Sequence, residues 1–272
     1  MVLPIGDVNP TRRAAVVVWL VTLANLAVFL LLQLPATGCE ELQFVYRFSA
    51  IPRELTTFAP LNAGELESLL GECASSMPAK NIPLSLVTSL FLHGGLGHLV
   101  SNLLFLVVFG NNVEDRLGHL RFILFYAVGG AGATLAYTAV RPDSIVPLIG
   151  ASGAVAAALG AYVICWPRAR VFTVVPFPLY LVALLIPGIR IVRWFIIFAV
   201  VMLPAWLLLG GWFALQLVSA QNPTGQPIAY EAHIGGFLAG VVLLLVMDKW
   251  RARHGRQPFH DTDGRRRRPG AP

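Results

Sequence analysis

Charged residues are scarce in this chain. Asp, Glu, Lys and Arg make up only 12% of its 272 residues, whereas 56% are hydrophobic and the mean hydropathy is +0.70. A soluble domain typically carries about 25% charged residues. The composition therefore excludes an ordinary soluble domain and indicates an integral membrane protein that crosses the bilayer several times.

Six apolar runs predict the helices of this protein. An α-helix needs about 20 mainly apolar residues to cross a bilayer, and the runs lie at residues 14–34, 84–109, 122–140, 146–166, 194–217 and 228–247. The predicted fold class is an all-α polytopic membrane protein, a bundle of six transmembrane helices. A further apolar run, 171–186, contains prolines and is predicted to be interfacial or re-entrant, with a seventh span as the alternative.

Basic residues alternate with the predicted spans. Arginines and lysines precede the first run, lie between the second and third and between the fourth and fifth, and follow the sixth. By the positive-inside rule, both termini are predicted to be cytoplasmic. The predicted organisation is a cytoplasmic N-terminus (1–13), a membrane domain (14–248) with an outer loop at 35–84, and a basic, disordered tail (249–272).

Two alternatives concern the ends of the chain. The first run could be a cleaved signal peptide, but its apolar stretch is longer than such peptides need, and an uncleaved span is favoured. The tail contains the basic run Arg265–Arg268, which suggests either nucleic acid or anionic lipid as a partner. A basic segment next to a membrane typically meets anionic lipid, so membrane lipid is the expected partner and nucleic acid is not.

Cysteine is also rare, with three in the chain. Cys39 and Cys73 both fall in the predicted outer loop, where an oxidising environment permits a disulfide. The sequence does not decide whether the two thiols meet, because a disulfide depends on spatial geometry. Cys165 lies at the cytoplasmic end of its predicted span, far from the outer loop, and is interpreted as an unreactive apolar packing residue.

Three of the predicted spans hold polar side chains at similar depths. Ser152 and His233 lie roughly 8–10 Å below the starts of their runs at 1.5 Å rise per residue, and His98 and Asn102 lie in the outer half to middle of theirs. A polar group within the bilayer is costly and usually functional. We therefore expect these side chains to meet in one site.

The residue types predict nucleophilic catalysis at that site. A serine hydroxyl needs a base to attack a carbonyl, which assigns Ser152 as nucleophile and His233 as base. The oxyanion needs donors, for which His98, Asn102 and the backbone N–H groups of Ala151 and Ser152 are candidates. The apolar part of each span lacks Asp and Glu, so the sequence predicts a dyad rather than a triad.

Glycines explain how the serine and histidine helices could approach each other. Gly236 and Gly240 are spaced to share one face of the sixth span, and Gly150 and Gly153 thin the fourth. The simpler interpretation is that Ser152 bonds to its own helix backbone and that His233 serves in packing or a proton relay. The matching depths and the glycine face favour the catalytic interpretation.

These residues form motifs that closely resemble those of the rhomboid family of intramembrane serine proteases, in its bacterial form. The motifs are His98-Leu-Val-Ser-Asn102, Gly150-Ala-Ser152-Gly153 and Ala232-His233-x-x-Gly236-x-x-x-Gly240. The resemblance implies a six-helix bundle with a water-filled cavity and a Ser152–His233 dyad assisted by His98 and Asn102. It also implies a serine endopeptidase that cuts single-span membrane proteins in or near their transmembrane segments, without cofactor or metal.

One departure from the family pattern concerns the base. Some bacterial members have an aromatic residue four positions after the serine, against the histidine, whereas this chain has Ala156. Tyr230 or an aromatic residue of the fifth span is the candidate to cover His233 instead. The alternative functions are a catalytically silent rhomboid-like protein that binds clients and a transporter with a histidine relay.

Overall fold

The computed structural model describes residues 3–76, 79–178, 196–221 and 228–253, and most of them are helical. The helices are α1 (Val16–Val28), α2 (Cys39–Phe48), α3 (Pro52–Thr57), α4 (Ala63–Leu70), α5 (Ile82–Thr88), α6 (Leu96–Phe105), α7 (Asn111–Leu117), α8 (His119–Val140), α9 (Ser152–Cys165), α10 (Ala205–Gln221) and α11 (Tyr230–Arg253). The strands are β1 (Leu3–Asp7), β2 (Arg170–Pro178) and β3 (Ile196–Pro204). The predicted polytopic helical bundle is confirmed.

Four helical segments in the described part of the chain are long and apolar enough to cross a membrane. They are Val16–Gln33, Leu96–Leu117, His119–Val140 and Tyr230–Asp248. π-helical turns at Phe29–Gln33 and Leu106–Gly110 extend α1 and α6. Two of the six predicted spans are shorter, since α9 has 14 residues and α10 has 17.

The second and fourth spans begin later than the sequence predicts. A break at residues 92–95 separates α5 and its 3-10 turn from α6, and Gly95 has a φ of +152° there. Residues 146–151 are not helical, because Leu148 pairs with the backbone of Ala50 and the Gly150 N–H donates to the Ser89 carbonyl at 2.9 Å. Both helices therefore start close to the polar residues.

The prediction of a helix throughout the fifth span is wrong for residues 196–204. Ile196–Pro204 forms β3, which pairs antiparallel with β2, while β1 pairs with the other edge of β2. Both long strands are rich in β-branched and aromatic residues, which favour a strand once a partner strand is available. Residues 171–178 of the run that the sequence predicts to be interfacial or re-entrant belong to β2. The rest of that run, 179–186, and the tail from residue 254 lie outside the described residues.

Helix α9 lies at the centre of the bundle, between α8 and α11. Its residues from Gly153 to Tyr162 are all buried, although most of them are alanine or glycine. A Cβ at Gly160 would overlap the carbonyl of Phe237, and one at Gly240 would overlap the carbonyl of Ala157. Small residues on both helices thus allow their backbones to come into direct contact.

Acidic residues after α6 anchor the first transmembrane helix. The carboxylate of Glu114 accepts hydrogen bonds from the backbone N–H groups of Val17 and Val18, each at 2.8 Å. These N–H groups lie at a helix start, where they have no partner within the helix. Arg116 forms an ion pair with Asp248 at 2.5 Å, which joins the end of this segment to α11.

The described part of the loop between the first two spans forms a cap of short helices. A disulfide joins Cys39 to Cys73, which answers the question that the sequence leaves open. Lys80 Nζ lies 2.5 Å from Glu54 Oε2, and both side chains are almost fully buried. Burial lowers the pKa of Lys80, while the contact with Glu54 opposes this shift.

Candidate active site

Ser152 is the first residue of α9 and is partly buried. The preceding Gly150 has a φ of +114°, a conformation that side chains rarely adopt, and it turns the chain into the helix. Because the first N–H groups of a helix lack intrahelical partners, Ser152 lies where backbone donors are free to bind a negative charge. Ser152 lies within the first two turns of its helix, as expected, but at the helix start rather than roughly 8–10 Å below it, because α9 begins at this residue.

His98 and Asn102 lie on the first turns of α6 and face this turn. A Cβ on Gly150 would lie 2.8 Å from His98 Cε1 and Nε2 and 3.6 Å from Asn102 Nδ2. The Gly94 N–H donates to His98 Nδ1 at 3.3 Å, so a neutral His98 carries its proton on Nε2. Two side-chain donors are thus directed at the backbone just before Ser152.

The amide of Asn102 is the unusual member of this group. Its Nδ2 is buried and has no hydrogen-bond partner within the part of the chain that the structure describes. A buried donor without a partner costs on the order of 1–3 kcal/mol, which makes it a candidate for binding a ligand oxygen. The sequence predicts Asn102 as a donor, but only the structure shows that its Nδ2 lacks a hydrogen-bond partner among the described residues.

His233 is the fourth residue of α11, and its contacts come from α10. Its Nδ1 lies 2.8 Å from Gln216 Oε1, and its ring centroid is 5.9 Å from that of Trp212. No hydrogen bond between described residues joins its ring to the Ser152 hydroxyl. The two residues nevertheless lie at the same end of the contact between their helices, since Gly153 and Gly236 meet there.

A small cavity adjoins the serine. It has a volume of about 30 Å³, and Ser152 is one of its lining residues. Glycine and alanine form part of its wall, and larger apolar side chains, those of Leu90, Leu148 and Ile149, form another part. A space of this size suits a water molecule or a small side chain.

The sequence analysis missed two residues that support the site. Gln33 holds the break before α6, because its amide donates to the His93 carbonyl at 3.0 Å and accepts from the His93 N–H at 2.9 Å. Gln216 binds His233. Both are polar side chains within apolar runs, which is a signal of function that could have identified them.

The structure also locates the other residues that the sequence analysis names around the site. The candidates to cover His233 are Tyr230 and an aromatic residue of the fifth span, and Trp212 of that span lies beside the histidine. Ala156 is completely buried. Ala151 lies directly before α9 and is also buried. Among the described residues, no group of three or more His, Cys, Asp or Glu side chains is placed to hold a metal ion.

Known proteins resemble this chain across the region that holds these residues. A family model described as Rhomboid domain matches residues 81–250. The chain is 30% identical over 126 residues to RHOMBOID-like protein 6, mitochondrial, of Arabidopsis thaliana, covering 46% of this chain and 40% of that protein. It is 29% identical over 197 residues to Rhomboid-related protein 2 of Mus musculus, covering 72% and 58%.

A similar relation holds to Rhomboid protein 1, mitochondrial, of Saccharomyces cerevisiae, at 29% identity over 168 residues, covering 58% of this chain and 40% of that protein. The chain therefore spans between 40% and 58% of the length of these three relatives. The family model covers more than half of the chain and includes both the serine and the histidine motifs. This integral membrane protein belongs to the rhomboid family.

Proposed function

We propose that this protein is an intramembrane serine endopeptidase. It hydrolyses peptide bonds in or next to the transmembrane segments of single-span membrane proteins. The observation that carries the proposal is the convergence of His98 and Asn102 on the turn that leads into Ser152. An acyl-transfer site requires hydrogen-bond donors beside its serine, since they stabilise the negative charge that develops on the oxygen of the attacked carbonyl. His98, Asn102 and the start of α9 can provide them.

The reaction follows from these positions. Ser152 Oγ attacks the scissile carbonyl carbon while His233 Nε2 takes the hydroxyl proton, because Nδ1 is occupied by Gln216. The oxyanion binds His98 Nε2–H, Asn102 Nδ2–H and the backbone N–H groups at the start of α9. His233 then protonates the leaving amine, the C–N bond breaks, and water hydrolyses the acyl-enzyme by the same proton route.

The cavity beside Ser152 supports a preference for small side chains at the cleavage site. It measures about 30 Å³ between the glycine and alanine residues on one side and Leu90, Leu148 and Ile149 on the other, so we expect a substrate residue bound there to be small. The substrate segment must also be unwound locally, because an intact helix uses its own carbonyls in hydrogen bonds. Helix-destabilising residues near the cleaved bond are therefore expected in substrates.

We further propose that the enzyme lies in a bacterial plasma membrane with both termini in the cytoplasm. The distribution of arginine and lysine along the chain supports this orientation. The Ser152 end of the bundle then faces away from the cytoplasm, as does the disulfide between Cys39 and Cys73. Membrane lipid contacts the basic tail, and nucleic acid is not a partner.

A fluorophosphonate probe tests the catalytic proposal without a known substrate. Purified wild-type protein should react covalently with the probe, whereas Ser152→Ala and His233→Ala should not, although both variants keep the helical content and the thermal transition of the wild type. A fluorogenic peptide carrying an unwound transmembrane segment should be cleaved by the wild type alone. Equal labelling of Ser152→Ala and the wild type would contradict the proposal.

One observation favours a second candidate, a rhomboid-like protein that binds membrane clients without cleaving them. In the described structure Ser152 and His233 form no mutual hydrogen bond, so the dyad must close before it can react. An enzyme forms that contact when substrate binds, whereas a silent protein never does. Absence of labelling in well-folded wild type, with retention of a bound client helix, would select this second function.

A further inference from the structure

Gln216 is the polar partner of His233 and belongs to a different helix. It lies one turn after Trp212 on α10, and the two side chains together contact the ring of His233 on α11. The Gln216 side chain is only 9% exposed, and the run around it is almost entirely apolar. A buried amide in such a helix is costly unless it is hydrogen-bonded, and its partner here is the imidazole.

The hydrogen bond decides which nitrogen of His233 is free. A neutral imidazole carries one N–H and one lone pair, and the partner of one nitrogen determines which is which. When Gln216 Oε1 accepts from Nδ1–H, the lone pair remains on Nε2. Nε2 is then the atom that can take a proton from a serine hydroxyl.

An amide has a particular advantage at this place. In a serine triad a buried carboxylate holds the histidine in the same tautomer, but a charged carboxylate inside a bilayer is expensive. An amide oxygen provides the acceptor without the charge. Glutamine therefore supplies the orientation that the missing acid would otherwise give.

We propose that Gln216 is a positioning residue that fixes His233 in the Nδ1–H tautomer and aims Nε2 at Ser152. This inference rests on the proposed serine-protease function for its catalytic meaning, but the tautomer itself does not depend on activity. Sequence reasoning assigned a dyad with no orienting group. The structure assigns that role to a neutral side chain on α10.

Two substitutions separate the hydrogen bond from packing. Gln216→Met keeps the length of the side chain and removes the acceptor, whereas Gln216→Glu keeps an acceptor oxygen. Gln221→Met is the matched control, because Gln221 lies on the same helix and is exposed. All variants are purified as full chains in mild detergent and compared with the wild type by thermal unfolding.

We expect Gln216→Met to lower kcat by roughly tenfold to a hundredfold, the range that loss of a partner orienting a metal-bound histidine costs, with little change in KM. The rate of fluorophosphonate labelling should fall by the same factor. Gln216→Glu should recover most of the rate and move the acid limb of the pH profile to higher pH, since a carboxylate stabilises the protonated ring. If the role of Gln216 were purely structural, the acid limb of the pH profile would be the same in Gln216→Glu and in the wild type.

Nitrogen-15 NMR of histidine-labelled protein in bilayers supplies the readout that is independent of activity. The His233 signals, identified by their loss in His233→Ala, should show a protonated Nδ1 and an unprotonated Nε2, and this pattern should be lost in Gln216→Met. A protonated Nε2 in the wild type would overturn the inference, as would unchanged kcat and tautomer in Gln216→Met. If the wild type does not react with the fluorophosphonate at all, the protease proposal fails. The tautomer of His233 in the wild type and in Gln216→Met still decides the role of Gln216.

Discussion

The backbone carbonyl of Gly153 occupies the space that a Cβ on Gly236 would fill. This contact joins α9 to α11 one residue after Ser152 and one turn after His233. Contact through glycine lets the backbones of the helices that carry Ser152 and His233 approach closely. The spacing of the two helices that carry the proposed nucleophile and base is therefore limited by two glycines.

Substitution of Gly236 by alanine tests this relation. The added methyl group meets the Gly153 carbonyl, which is backbone and cannot move aside, so the helices must separate. We expect a loss of stability of about 1–3 kcal/mol together with loss of fluorophosphonate labelling. Gly211→Ala on α10 is the matched control, because nothing lies within 4 Å of the position its Cβ would take. Thermal unfolding and labelling of the two variants check the prediction, and equal behaviour would contradict it.

Asn102 provides a test of the oxyanion donors. Its free Nδ2 lies near the turn before Ser152, so Asn102→Ala should lower kcat by about 10²–10³. Stability should not fall, because no hydrogen bond of this amide nitrogen is lost. Ser101→Ala is the neighbouring control, since the Ser101 hydroxyl donates only to the His98 carbonyl of its own helix. A variant lacking Asn102 that cleaved at the wild-type rate would remove this residue from the mechanism.

The ion pair between Lys80 and Glu54 should be important for the stability of the cap formed by the first loop. Lys80→Met leaves the buried Glu54 carboxylate without its partner, which costs on the order of 3–5 kcal/mol. The double variant Lys80→Met/Glu54→Leu removes both charges and should recover most of that loss. Chemical unfolding of the wild type, both single variants and the double variant measures the coupling. Additive losses in this cycle would show that the pair does not act as a unit.

Asp7 predicts a pH dependence at the opposite end of the bundle. Tyr162 donates a hydrogen bond to its carboxylate, as does Asn112 Nδ2 at 2.9 Å, and burial raises the pKa of Asp7 despite these bonds. Because the pKa of Asp7 is higher in the folded than in the unfolded chain, its neutral carboxyl group contributes to stability at low pH. This contribution is lost as the pH rises through the pKa of the folded state.

Asp7→Asn should therefore flatten the change in Tm between pH 4 and pH 8, because the side chain stays neutral throughout. The expected gain is at the higher pH, where the wild type carries a partly buried charge. Asp143→Asn is the control, since the Asp143 side chain is 86% exposed. Thermal unfolding across this pH range checks the sign, and a steeper profile in Asp7→Asn would contradict it.

Particular residues show where the sequence was informative about the fold. Low charge and long apolar runs predicted the membrane bundle, because a bilayer imposes the same length and polarity on every helix that crosses it. The sheet was not predicted, since Ile196–Pro204 is as apolar as a span and becomes a strand only through pairing with Arg170–Pro178. Helix starts were also shifted, because the breaks before Leu96 and Ser152 depend on bonds to Gln33 and Ser89, which lie far away in the chain.

The membrane class, the family resemblance and the identity of the polar residues follow from the amino-acid sequence, since they depend on composition and on motif spacing. The partner of His233, the unpaired amide nitrogen of Asn102 and the pairing of Cys39 with Cys73 are visible only in the folded chain. Hydrogen bonds and disulfides require particular distances between residues that are remote in sequence, and those distances depend on how the helices pack. Gln216 illustrates the difference, because it is one polar letter in an apolar run until α10 packs beside α11.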